Sequence, residues 1–111
     1  MTDQQIKQII IQEVCRYYNQ KHYKLGYKCQ KREVVEPRQV IHYLCKKFTK
    51  LSLTDIGMIY QQGHATVINS LRHINNLMFR NGLDKIINKL TMTIQSQINN
   101  NKIDPNRMGS Y

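Results

Sequence analysis

The stretch "LSLTDIGMIYQQGHATVINSLRHI", residues 51–74, reads as two helices joined by a very short turn. Ser52 followed three residues later by Asp55 is a helix-start pattern, a hydroxyl at the cap and an acid in the first turn. Leu53, Ile56, Met58, Ile59 and Tyr60 carry that short helix to "QQG" at 61–63, where the chain turns. Gly57 within it costs about 1 kcal/mol against alanine, and close approach of a neighbouring helix is the expected compensation. The next helix, 64–81, has Val67, Ile68, Leu71, Ile74, Leu77 and Met78 on one side, and Gly82 can close it in a left-handed conformation. Its first turn is His64, Ala65 and Thr66, small and polar where a core helix would be apolar. A helix-turn-helix, here about 52–81, carries such a tip into the major groove of DNA.

The same two helices could form an ordinary packed hairpin, so the charge pattern matters. The chain has 17 Lys and Arg against 7 Asp and Glu, a net charge of +10. Residues 16–50 hold ten of the basic residues, opposed only by Glu33 and Glu36, so +8 of the +10 lies in that part. A concentrated excess of this kind attracts polyanions, nucleic acid first and anionic membrane second. Membrane attachment is the weaker reading, because the cations cluster in a connecting segment and not along one amphipathic helix. No apolar run of about 18 residues exists to cross a bilayer, and no secretory signal is evident.

Outward from the turn, the chain reads as helix throughout. Ile6, Ile9, Ile10, Val14, Tyr17 and Tyr18 mark one face of a helix over 3–20. Residues 21–36 break the pattern with Gly26 and dense charge, a basic connecting segment with one short helical turn at its beginning. Pro37 stands where a helix favours its start, and Val40, Ile41, Leu44, Cys45 and Phe48 give the stripe of 37–50. Lys46, Lys47 and Lys50 then suit the negative pole of that helix. Leu83, Ile86, Ile87, Leu90, Ile94 and Ile98 mark a last helix over about 83–99, and 100–111 reads as a flexible tail. The expected fold is one compact all-α domain over 1–99, with no strand pattern and no internal repeat.

Catalytic and metal chemistry find little support. Cys15, Cys29 and Cys45 are odd in number and widely spaced, which excludes a four-cysteine zinc site and a disulfide framework; thiols in a reducing cytosol are the expectation. His42 and Cys45 lie one turn apart without a third ligand, so a structural role is expected. Acidic residues are too sparse for a general acid–base pair, and no phosphate-binding GxxxxGK[ST] loop occurs. No enzyme activity, cofactor, metal or small-molecule substrate is expected.

"VVEPRQVIHYLCKKFTKLSLTDIGMIY" at 34–60, followed by "HATVINSLRHI" at 64–74, resembles the C-terminal DNA-binding domain of the bacterial chromosomal replication initiator, DnaA. The resemblance spans roughly 4–97 and is most specific at "PRQV" (37–40), "LSLTDIG" (51–57) and "HATV" (64–67). It implies a Trp-repressor-like helical fold that reads a short asymmetric box in duplex DNA. His64, Ala65, Thr66 and Asn69 are the implied major-groove residues, and Lys28, Lys31, Arg32, Arg38, Gln39, Ser52 and Arg72 the candidates for backbone or minor-groove contact. The family's minor-groove arginine falls at Gln30, which makes Arg32 the best surviving candidate; Ala65 replaces a threonine, Gly63 an acid, and Glu36 a residue commonly basic. A changed or looser box is therefore expected. The resemblance also implies a cytoplasmic, nucleoid-associated monomer of bacterial or phage origin, with replication or regulatory proteins as further partners. Competing expectations are a stand-alone transcription regulator, a mobile-element protein, and a protein-interaction domain that has lost base reading.

Overall fold

The computed structural model describes residues 2–26, 31–78 and 82–108, with Tyr23 and residues 101–108 described by backbone alone. The described residues form five α-helices: α1 Asp3–Tyr18, α2 Arg32–Phe48, α3 Leu53–Gly57, α4 His64–Leu77 and α5 Leu83–Met108. Short 3-10 turns at His22–Gly26 and Met58–Tyr60 complete the order, and no strand occurs among the described residues. The fold is all-α.

α1 begins with a capping box: the Gln5 amide donates to Thr2 Oγ1 at 3.2 Å, and the Thr2 amide donates to Gln5 Oε1 at 2.8 Å. Two of the orphan donors at the helix start are thereby satisfied. Its buried face is Ile6, Ile10, Ile11 and Val14, and Asn19 ends it in the left-handed region at φ 54°. α2 runs back antiparallel to α1. Tyr18 Oη, at the end of α1, donates to Glu36 Oε2 at 2.7 Å, and the Lys50 amide beyond α2 donates to Asp3 Oδ2 at 3.2 Å.

α2 starts at Arg32, not at Pro37, and Pro37 lies buried inside the helix. The missing proline N–H leaves the Glu33 carbonyl without its helical donor, a loss eased by the exposure of Glu33 at the surface. The early start is favoured by packing. Val34 is buried and continues the stripe of Ile41 and Leu44 backwards by two turns, and an acid at Glu33 suits the positive end of the dipole. The connecting segment is correspondingly shorter than expected, with the 3-10 turn at its beginning in place.

α5 lies along α1. Leu83, Ile87, Leu90, Ile94 and Ile98 are buried, and Gln97 Nε2 donates to the buried Glu13 Oε2 at 2.7 Å. The helix continues to Met108, past the end at 99 that the apolar stripe indicated. The stripe reports burial against a neighbour and ends at Ile98, whereas the helix itself runs on to Met108 with Pro105 inside it.

The short helix pair forms as expected. Ser52 Oγ accepts from the Asp55 amide at 3.0 Å; α3 tightens into the 3-10 turn, and Gln61 turns the chain at φ 55°. The second helix ends at Leu77, before the expected 81; residues 79–81 lie outside the described part, and Gly82 has the left-handed φ of 71°. The glycine in α3 serves a different neighbour from the one expected. A Cβ on Gly57 would overlap the Gln62 carbonyl and meet the Gly63 carbonyl oxygen at 3.3 Å, so it is the turn's own backbone that approaches. The Gln62 amide donates to the Gly57 carbonyl at 2.8 Å, closing that turn.

His42 is fully buried on α2, with Nδ1 3.0 Å from Ser70 Oγ on α4. This bond fixes how α4 crosses α2. No group of three potential metal ligands forms among the described residues. Cys45 is buried, and burial pushes its thiol up to about 12, which leaves it an inert apolar filler.

Two outcomes follow from this packing. Gly57→Ala should destabilise by about 1–3 kcal/mol despite alanine's better helix propensity, because the neighbouring carbonyl is backbone and cannot rotate away; a melting temperature equal to or above wild type would contradict the close approach. Burial first, then the Arg38 charge, lowers His42 to about 4. The unfolded imidazole, near 6.5, takes up a proton that the folded one excludes, so stability is full above pH 6.5 and declines as pH falls towards 4. Denaturant unfolding of wild type against His42→Asn over that window should show wild type losing about 3 kcal/mol more; parallel curves would mean that His42 is not held neutral.

Candidate nucleic-acid interface

α4 presents two faces. Val67, Ser70 and Ile74 are buried against α2 and α3, whereas Ala65, Asn69, Arg72 and Asn76 are all exposed. The spacings of four, three and four place those four residues in one stripe along the helix. From Ala65 to Asn76 the stripe spans roughly 16 Å at about 1.5 Å per residue. His64 and Thr66 flank its beginning and are likewise exposed. Gly63, which precedes the helix, brings no side chain to cap it, and a Cβ there would meet open space, so no described residue crowds the chain at this point. Asn76 extends the stripe a turn beyond the residues expected; its four-residue spacing from Arg72 is the signal that would have found it.

The side chains of this face carry groups that suit base edges. Asn can pair with adenine and Arg with guanine through two hydrogen bonds each, and Ala65 is small enough to let the helix approach a thymine methyl. Thr66 offers a hydroxyl and a methyl from the first turn.

The root of the basic segment is tied to the turn between α3 and α4. His22 Nδ1 lies 3.1 Å from Tyr60 Oη, and the Tyr60 ring is 3.7 Å from where a Cβ on Gly26 would stand. Tyr60 is buried, and burial holds its hydroxyl well above the usual phenol range. Leu25 is fully buried, and its carbonyl accepts a 3.1 Å hydrogen bond from Arg38 Nη1. Lys21, His22 and Lys24 are exposed at this root, and Lys31 and Arg32 are exposed where the segment rejoins α2. Residues 27–30, and with them Lys28 and Gln30, lie outside the described part.

The remaining candidates are placed as follows. Arg38 is half-buried and holds the 3-10 turn from beneath, a use that the motif "PRQ" does not reveal. Gln39 is half-buried and lines a cleft of about 330 Å³ with Arg32, Glu36 and His73, beside the C-terminal half of α4. Ser52 is exposed and engaged in capping α3, and Arg72 is exposed on the stripe. Lys46 and Lys47, read from the sequence only as partners of the helix dipole, instead flank α4. With Tyr43, Leu71 and Asn75 they line a cleft of about 200 Å³. That relation needs the α2–α4 crossing and is invisible along the chain.

Comparison with known proteins agrees with this architecture. The family model described as "Bacterial dnaA protein helix-turn-helix" matches residues 7–74. Chromosomal replication initiator protein DnaA 2 of Chlamydia caviae is 37% identical over 75 residues, which is 68% of this chain and 16% of that protein. DnaA of Thermoanaerobacter sp. is 37% identical over 68 residues, 61% of this chain and 15% of its own. DnaA of Lachnoclostridium phytofermentans is 32% identical over 91 residues, 77% of this chain and 20% of its own. The chain thus spans less than a quarter of the length of these relatives. The matched segment contains α2, α3, the turn and α4 up to Ile74, and the chain belongs to the DnaA helix-turn-helix family.

Proposed function

We propose that this protein binds double-stranded DNA without catalysing a reaction on it, reading one short site at a replication origin or an operator. The first turn of α4 enters the major groove, where His64, Ala65, Thr66 and Asn69 face base edges. Lys28, Lys31 and Arg32, with the root cations Lys21 and Lys24, grip the phosphates or the adjacent minor groove. Arg72, Ser52, Gln39 and the α2 lysines Lys46 and Lys47 meet the groove walls. Arg38 serves indirectly, by holding the root of the basic segment. The protein acts as a monomer in the bacterial nucleoid, without cofactor, metal or small-molecule substrate.

One observation carries this reading: the polar stripe of α4 is exposed, while the basic root is bonded to the turn that launches the same helix. A hairpin packed only for stability has no need of either. Among the described residues no helix is long and apolar enough to cross a membrane.

Selection from a random duplex library, followed by titration over a range of salt, tests it. With about six phosphates engaged, log K should fall against log[salt] with a slope near −5. Thr66→Ala should cost about 1–3 kcal/mol on the selected sequence and little on random duplex. Lys31→Ala should weaken both alike and flatten the slope by about 1. A library without an enriched motif, or equal losses on both duplexes for Thr66→Ala, would remove α4 from base reading; no salt-sensitive binding at all, with capture of a protein partner, would favour an interaction domain.

A further inference from the structure

Glu36 is one of only two acids among the ten basic residues of the segment 16–50, and it is built in with both carboxylate oxygens occupied. Oε2 accepts from Tyr18 Oη at 2.7 Å, and Oε1 accepts from Arg32 Nε at 3.1 Å. The two ends of that ion pair differ sharply: the Glu36 side chain is 18% exposed and the Arg32 side chain 76%. The carboxylate is therefore a fixed charge, seated between α1 and α2. The guanidinium is the exposed partner, held on one side and open to solvent on the other.

We propose that Glu36 restrains the grip on DNA by competing with phosphate for the Arg32 guanidinium. This rests on the reading of Arg32 as a backbone or minor-groove contact. In the free protein Arg32 lies on Glu36, which offsets part of its charge within the molecule. When a duplex docks, Arg32 must leave the carboxylate or share itself with a phosphate, and Glu36 stays in place as a negative charge close to the DNA. A charge that cannot withdraw repels every duplex alike. Glu36 thus sets how tightly the protein holds DNA and leaves the choice of sequence to α4. Glu33, the other acid, is exposed and has no such fixed seat.

Glu36→Gln keeps an acceptor for the Tyr18 hydroxyl and removes the charge. Fluorescence titration of two probes, the duplex enriched by selection and a duplex of random sequence, is run over a range of salt. The variant should bind both about two- to fivefold more tightly than wild type. Its salt dependence should steepen by about 0.9, the value of one further phosphate contact, with the ratio between the two duplexes unchanged. Adding Glu36→Gln to Arg32→Ala should gain less than adding it to wild type, because it then relieves only the repulsion by the fixed charge and no longer the competition for the guanidinium. Thermal melts confirm the fold, and a gain in affinity cannot arise from a loss of folded protein. Equal affinity and slope would overturn the restraint; weaker binding would overturn it in favour of Glu36 aiming Arg32 at the DNA. Wild type that binds neither duplex would overturn the DNA reading itself, and the restraint with it.

Discussion

The burial of Tyr60 is the constraint on which the interface depends. This residue ends the 3-10 turn after α3, one step before Gln61 reverses the chain into α4. Its hydroxyl meets His22, its edge faces Gly26, and its ring centroid lies 6.5 Å from that of His42 on α2. A side chain from the turn that leads into α4 thus also anchors the basic segment, and both pack against α2. The distance between the exposed tip of α4 and the cationic root is set by packing. In the proposed complex this interval lets the protein touch a groove and the neighbouring phosphates in fixed register.

Around Tyr60 each element has a mechanical task. Gly57 lets the turn fold back onto α3 without a gap. The His42–Ser70 bond fixes the crossing of α4 over α2, which brings Lys46 and Lys47 alongside the helix. Arg38, a cation that charge alone would send to a phosphate, is used to hold the Leu25 carbonyl. α5 covers α1 at the far side through a row of buried aliphatic side chains and the Glu13–Gln97 bond. The rigid body so formed leaves polar side chains free on one face of α4.

Much of this was legible along the chain because it depends on local chemistry. The Ser52–Asp55 start, the short turn and the apolar row of α4 are periodic or capping signals, and the exposure of His64, Ala65 and Thr66 follows from the late onset of that row at Val67. What escaped depends on contacts between distant segments. The start of α2 was placed at Pro37 because proline favours a first turn; burial of Val34 and the bond from Tyr18 to Glu36 draw the helix back to Arg32. The partner of Gly57, the use of Arg38 and the placing of Lys47 beside α4 all need the tertiary crossing. The run of α5 to Met108 escaped for another reason, since burial periodicity marks contact and not helix length.

The most direct test of a single interface built from α4 and the basic root is an amide chemical-shift titration with the selected duplex. Signals of His64–Asn69, of Lys21–Lys24 and of Lys31 and Arg32 should move together, at one common affinity, while the α5 segment 87–98 stays still. Shifts concentrated on α5, or movement of the basic segment with the α4 signals unchanged, would contradict the account.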